Sequence, residues 1–219
     1  LMVRNPTYEN EDVSIVELKD TLNRFRLTGS LVNVVLAKAL KAASNCEKSW
    51  LQDLFKENDF YRKAHLQQVE LWKKFKSTTS TEFPVHCIVG LNIDDPRTNR
   101  FVTTKEEEIK SFERNIEMPE ISPASAMWRK DLRDGLIKTM ISSGELCKLR
   151  NQKQLVPSIA SNFEKNLQPI PIMLIQRPGK EATNLACGWD LIVPAGYGLS
   201  VWLNLIKFGA KAGGWKEHE

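Results

Sequence analysis

No stretch of this chain carries the run of about 20 apolar residues that a bilayer-spanning helix needs, and no basic region followed by an apolar one opens it. Both absences argue for a protein that is soluble and unexported as it stands. Cysteine is sparse as well. The four cysteines, Cys46, Cys87, Cys147 and Cys187, lie far apart with no CxxC pair, and with only three histidines no metal-ligand spacing forms. Dispersed single cysteines of this kind read as reduced and mostly buried, as in cytosol or nucleus. Internal repeats, low-complexity tracts and a polybasic tail are missing too. Glycines invite a phosphate-loop reading at Gly196-Tyr197-Gly198 and between Gly209 and Gly214, but neither is followed by the lysine-threonine pair or third glycine of the known fingerprints. The expectation is a chain with no metal, no cofactor, no catalytic residue and no membrane partner.

What is present suffices for a real core. Of 219 residues, 42% are hydrophobic and 26% charged, enough for one large domain or two small ones. The net charge is +4, with the cations spread along the chain. That permits a nucleic-acid partner without arguing for one, since a binding surface needs clustering on one face. Leu1 in place of an initiator methionine reads as the start of a piece excised from a longer protein.

Along the chain, Ser14 followed by Glu17 predicts a capping-box start to a short helix carrying Leu18 and Leu22. The period then changes. Arg24-Phe25-Arg26-Leu27-Thr28 alternates, predicting a half-buried strand with Phe25 and Leu27 inward and both arginines outward. Gly29 turns the chain, Ser30 caps, and Leu31, Val34, Val35, Ala39 and Leu40 make the apolar stripe of a second helix. From 47 to 76 the pattern is helical, with one stripe of Trp50, Leu51, Leu54 and Phe55, another of Leu66, Val69, Trp72 and Phe75, and Asn58 as a cap. Residues 85–93 predict a buried strand, broken by the turn chemistry of Asp94-Asp95-Pro96-Arg97. Helices are expected over 124–141, with Met127, Trp128, Leu132 and Leu136, and over 143–149. Strands and helices without regular βα alternation predict an α+β fold, a mixed sheet with flanking helices. Three parts are expected: an α+β part over 1–104, a charged, proline-marked loop or linker over 105–123, and over 124–219 a helical segment with a strand-turn-helix, able to join 1–104 in one composite domain.

Few residues invite chemistry. His86 and Cys87 are neighbours on the expected strand, so they point to opposite faces and cannot act together. His218 lies near the end and His65 inside a helix. Asp94 and Asp95 read as turn and cap chemistry rather than metal ligands. Asp190, once buried in its strand, needs a donor such as Arg26 or Arg177, which makes a structural ion pair. Trp50, Trp72 and Trp128 sit on helical stripes and read as core.

The most specific feature is the order of residues over 188–216, GWDLIVPAGYGLSVWLNLIKFGAKAGGWK. A buried strand from Asp190 must end at Pro194, which cannot donate to a ladder, and glycine supplies φ > 0 in the Gly196-Tyr197-Gly198 turn. A helix follows with Leu199, Trp202, Leu203, Ile206 and Phe208 near helical spacing, stopped at Gly209. Preceded by IPIMLIQRPG over 170–179, this run resembles the POPLD segment of the largest protein subunit of eukaryotic ribonuclease P and ribonuclease MRP. The block VSIVELKDTLNRFRLTG over 13–29 is similar to the segment where that family enters its central domain, and Gly90-Leu91 with Asp95-Pro96-Arg97 is similar to a third family block. The opening helix-strand-helix order also resembles the folate-binding domain of glycine-cleavage T-proteins, a fold the family is thought to share.

The resemblance implies a non-catalytic RNA-binding scaffold in a nuclear and nucleolar ribonucleoprotein whose RNA cleaves precursor tRNA or precursor ribosomal RNA. It implies ribonuclease P RNA, MRP RNA and other protein subunits as partners, with precursor tRNA met indirectly. Arg24, Arg26, Arg97, Arg100, Arg177, Lys180, Lys207, Lys211 and Lys216 flank the family blocks, several at outward strand or loop positions, and are the expected phosphate contacts. Gly188, Trp189, Asp190, Pro194, Gly196, Gly198, Trp202, Gly209, Gly213 and Gly214 form the structural motif. Two other readings stand beside this one. One is a folate-dependent aminomethyl-transfer enzyme with Asp190 or Asp94 aimed at the pterin. The other is a protein-interaction module that touches no RNA.

Overall fold

The computed structural model describes residues 8–10, 13–15, 17–43, 49–99, 116–153, 167–179 and 186–214. A short hairpin of β1 (Tyr8–Asn10) and β2 (Val13–Ile15) precedes the main sheet. β3 (Leu22–Thr28) leads into α1 (Val32–Ala39), then α2 (Trp50–Glu57), α3 (Asp59–Phe75) and β4 (Ile88–Ile93). α4 (Lys130–Thr139) and α5 (Ser143–Lys153) come before β5 (Ile170–Arg177), β6 (Gly188–Pro194) and α6 (Gly198–Lys207). The four long strands form one sheet in the order β3-β6-β5-β4. Every pairing in it is antiparallel, so the class is α+β as expected, whereas the expected mixed sheet is not what forms.

β5 and β6 lie inside the sheet, which is why both read as nearly unbroken apolar runs. Two prolines set where their ladder ends. The amide of Gln176 bonds to the carbonyl of Cys87, so alternate β5 residues direct their backbone groups to β4 and the others, Pro171 among them, to β6. By register Pro171 stands opposite Pro194, and neither can donate; pairing between β5 and β6 starts at Met173 and Ile192 instead.

One face of the sheet carries Trp189, Leu191 and Val193 from β6, Ile172 and Leu174 from β5, and Val89, Leu91 and Ile93 from β4. All are buried in the main core with Leu36 of α1, Phe75 of α3, and Val201 and Leu205 of α6. The ring of Trp189 lies 5.1 Å from both Phe75 and Phe83, and its indole N–H donates to the Asn33 side chain at 2.7 Å. Burying aromatics of this size is the largest single apolar contribution in such a core. α3 runs beside β4: its last turns enter the core, while Gln68 donates to the carbonyls of Ser122 and Ala124. Asn58 caps α3 as expected, accepting from the Phe60 amide at 2.9 Å.

Several expectations fail for identifiable reasons. No helix forms over the described residues of 13–22. Val13–Ile15 is a strand, and Asp20 takes a left-handed φ of 61° that a helix could not continue through. Residues 85 and 86 form a turn, with His86 at φ 62°, so His86 and Cys87 are not strand neighbours. The first turn after Ser125 is 3-10, and Trp128, its last residue, is exposed rather than core. Of the three described cysteines only Cys187 is buried; Cys147 is exposed and Cys87 intermediate.

The helical stripes are also displaced. α1 buries Val32, Asn33, Leu36 and Ala39 and leaves Leu31 exposed. α6 buries Val201, Asn204 and Leu205, turning Leu199, Trp202, Leu203 and Ile206 to solvent. The cause is polar. The last carbonyls of α1 have no intrahelical donors, and Asn204 of α6 donates to Ala39 while Asn99 donates to Lys38 at 2.7 Å and to Ala39 at 3.0 Å. Asn204 is drawn inward by that bond, and the apolar residues on the other side of α6 are carried outward.

Candidate functional site

The second face of the sheet is open where β3, β6 and the end of β5 meet, and it carries an arginine cluster. β3 alternates, so Phe25 and Leu27 turn to the core side and Arg24 and Arg26 to the open side. Register places Asp190 of β6 directly opposite Arg26, with Arg24 one diagonal step away and Arg177 of β5 another on the far side. Three guanidinium groups therefore reach one carboxylate: Arg24 Nη2 donates at 2.7 Å, Arg26 Nε at 3.3 Å and Arg177 Nη1 at 3.3 Å. The side chain of Asp190 is only 6% exposed, while those of Arg24, Arg26 and Arg177 are 53%, 30% and 41% exposed. The carboxylate is thus a buried anchor, and the cations form a collar around it.

Arginine carries five N–H donors in a planar fork. Arg24 and Arg177 each give one to Asp190, and their side chains stay partly exposed, which leaves donors available to a second anion. A conformation fixed in advance lowers the entropy lost on binding.

The other expected contacts are placed differently. Arg97 follows Asp95 in a 3-10 turn and folds back on it, Nε at 3.0 Å and 3.1 Å from the two carboxylate oxygens and Nη2 at 2.6 Å, while Nη1 donates to the Ile141 carbonyl at 2.6 Å. Its side chain is 10% exposed and its partner 2%. Burial works against the charged form of Arg97, and Asp95 outweighs it, holding the pKa above the ordinary arginine value. Tyr197 beside this pair is pushed up to about 12 by burial and by the Asp95 charge. Lys207 donates to the Asn99 carbonyl at 2.8 Å, and Lys211 is exposed beyond α6. Arg100, Lys180 and Lys216 lie outside the described residues.

Of the structural motif, Gly196 and Gly209 have the left-handed φ their turns require, 91° and 105°. The Ala210 amide bonds to Leu205 and that of Gly209 to Ile206, closing α6 with a Schellman motif. Gly198 instead opens α6, where a Cβ would fall 2.7 Å from the Asn23 side-chain oxygen. Gly213 and Gly214 are exposed.

An open cleft of about 510 Å³ lies on the core side of β3, lined by Asn23, Phe25, Gly196, Gly198, Leu199 and Trp202. Its lining holds no carboxylate among the described residues, and Asp190 points to the opposite face of the sheet. The Cys87 thiol is raised to about 12 by burial, which makes it a poor nucleophile. No cluster of metal-ligating side chains occurs among the described residues, and no described helix is long and apolar enough to cross a membrane.

No protein-family model matches the chain. The chain is 29% identical over 229 aligned residues to the human ribonucleases P/MRP protein subunit POP1, an alignment covering 94% of this chain and 22% of that protein. The chain accordingly spans about a fifth of the length of the relative it matches. The likeness read from the separate blocks extends through the intervening residues, including those where no motif stands out.

Proposed function

We propose that the chain is a non-catalytic, RNA-binding scaffold unit of the ribonuclease P and ribonuclease MRP ribonucleoproteins, acting in the nucleus and nucleolus. The particle's RNA does the cleaving, of precursor tRNA leaders in one case and precursor ribosomal RNA in the other. The chain holds that RNA's folded shape and docks on other protein subunits, meeting precursor tRNA only indirectly. The observation that carries this reading is the collar of Arg24, Arg26 and Arg177 around Asp190 on an open sheet face. A lone structural ion pair needs one cation; three at one carboxylate, with solvent-facing donors, suit a phosphate backbone. Lys207, Lys211, Arg100, Lys180 and Lys216 supply further contacts, with Arg97 bracing the turn that precedes them. The stretches over 1–104 and 124–219 work as one composite domain. Kinship with the folate-binding fold remains a proposal about ancestry, and no activity follows from it.

The test is filter binding of the chain to ribonuclease P RNA across a salt series. Each phosphate that a variant no longer neutralises lowers the log–log salt slope by about 0.7–0.9, so Arg24→Ala/Arg177→Ala should reduce it by nearly two such steps. An unchanged slope would remove the collar from the interface.

A second reading is favoured by the exposed apolar face of α6, where Leu199, Trp202, Leu203 and Ile206 recur at helical spacing. Such a face suits another protein subunit, and a chain that binds no RNA at any salt would be a protein-interaction module alone.

A further inference from the structure

We propose that Lys41, Arg150 and Lys207, continued by Lys73 and Lys76, form a second phosphate-binding surface on the helix side of the sheet, so that one chain grips two RNA segments at once. The inference rests on the RNA-binding reading above and extends it from Lys207 to Lys41, Lys73, Lys76 and Arg150, which no motif contains.

Three helix ends meet there. Asn99 ties down the last carbonyls of α1, and Lys41 follows immediately. Arg150 of α5 donates to the Arg97 carbonyl at 2.7 Å, and Lys207 of α6 donates to the Asn99 carbonyl at 2.8 Å. Those two carbonyls are separated by one residue, so both cations are drawn onto one short segment. Their charges are close enough to be felt: burial, then the charges of Arg150 and Lys41, lower the pKa of the Lys207 ammonium. Among the described residues no carboxylate pairs with Lys41 or Lys207. Lys41 also lines a shallow groove of about 240 Å³ together with Leu40, Ala42, Trp72, Lys73 and Lys76, where Lys73 is paired with Glu70 at 2.5 Å and its charge is partly offset. Lys41, which acts on Lys207 and lines the groove, is the residue common to both sets of cations in this band.

Capping explains part of this arrangement, since a cation near helix-terminal carbonyls is favourable. It does not explain the rest. One cation satisfies a carbonyl, whereas placing Lys41 and Lys207, neither paired with a carboxylate among the described residues, close to each other raises their mutual repulsion, a cost that a bound polyanion would offset. The band lies on the side where α1 and α6 pack, and the arginine collar lies on the opposite face. One RNA segment cannot cover both without passing around an edge, so two segments are the simpler geometry.

The test mixes the full chain with two mixed-sequence RNA duplexes, one carrying a donor fluorophore and the other an acceptor. The wild-type chain should bring them together and produce energy transfer. Lys41→Glu/Lys207→Glu should abolish the transfer and lower the salt slope of binding by about 0.7–0.9 for each phosphate left without its cation. Lys41→Gln/Lys73→Gln, at exposed positions, should weaken transfer without the risk of misfolding that charge reversal carries. Arg24→Ala/Arg177→Ala should also abolish transfer while leaving binding through the band. If both band variants keep wild-type transfer and slope, the band is overturned and the collar stands. A wild-type chain that binds neither duplex would overturn the RNA reading itself.

Discussion

Asp190 and His65 show how single buried polar groups tie local chemistry to stability. The Asp190 carboxylate is nearly inaccessible and holds three guanidinium groups together. Asp190→Asn keeps the shape but removes the charge, leaving three cations close to one another. A hydrogen bond to a charged group contributes about 1.5–3 kcal/mol, less where partners are solvated. The half-exposed arginines therefore point to a loss of about 1–2 kcal/mol, visible as a lower urea midpoint. A variant as stable as the wild type would show that the collar is not held by its anchor. His65 is the opposite case. Burial lowers its pKa, only partly countered by a hydrogen bond to the Ala43 backbone, so the folded chain keeps the ring neutral. Below the ordinary histidine value of about 6.5 the unfolded chain takes up a proton that the folded chain refuses. Stability is therefore complete above that value and falls as pH drops below it. Urea midpoints measured between about pH 7 and about pH 5.5 should decline in the wild type and flatten in His65→Gln; equal slopes would clear His65 of the effect.

Strands are more legible than helix faces, and the reason lies in which residues do the packing. Alternation in β3 and the proline end of β6 translate directly into geometry, because a strand has only two faces and proline cannot donate. The pairing of Asp190 with Arg26 and Arg177 is likewise readable, since a buried carboxylate demands a donor. Helix faces depart from their apolar stripes wherever a buried polar residue fixes the orientation. Asn33 faces inward for Trp189 and Asn204 for Ala39, and an apolar stripe alone carries no sign of either bond. Arg150 and Lys41 are invisible for the same reason: only the fold brings α5 and the end of α1 to one place. Glycine at 188 is another long-range requirement. A Cβ there would lie 1.9 Å from the Leu27 carbonyl oxygen, within the pairing of β3 with β6. That obstacle is backbone and cannot rotate aside, so Gly188→Ala should cost about 3 kcal/mol or more. It should also detach Arg24 and Arg26 from Asp190. By contrast Gly29→Ala meets open space and only an unfavourable φ of 121°, a loss of about 1–3 kcal/mol that spares the sheet. Thermal melts of the two variants check the order, and an intact Gly188→Ala would mean that β3 can shift.

At the scale of the molecule, the order β3-β6-β5-β4 decides how the chain must fold. β3 and β4 come from the part over 1–104, yet they are the two edges of the sheet and never touch as neighbours. β5 and β6, from the part over 124–219, fill the space between them as the two central strands. The first part alone would hold two separate edge strands with unpaired backbone and no sheet to bury, a state that costs more than its helices recover. The second would hold a single hairpin with Trp189 and Leu191 uncovered, because α1 and α3 are on the other piece. Neither part is expected to fold by itself, and the arginine collar, drawn from both, cannot exist in either. The two expressed separately should show little secondary structure by circular dichroism, and mixing them should restore it together with RNA binding. The intact chain should then unfold in one transition, with coincident urea curves from tryptophan fluorescence and from circular dichroism. Two separated transitions, or a part over 1–104 that melts cooperatively alone, would mean that the sheet is assembled from independent units and that the collar is an interface between them.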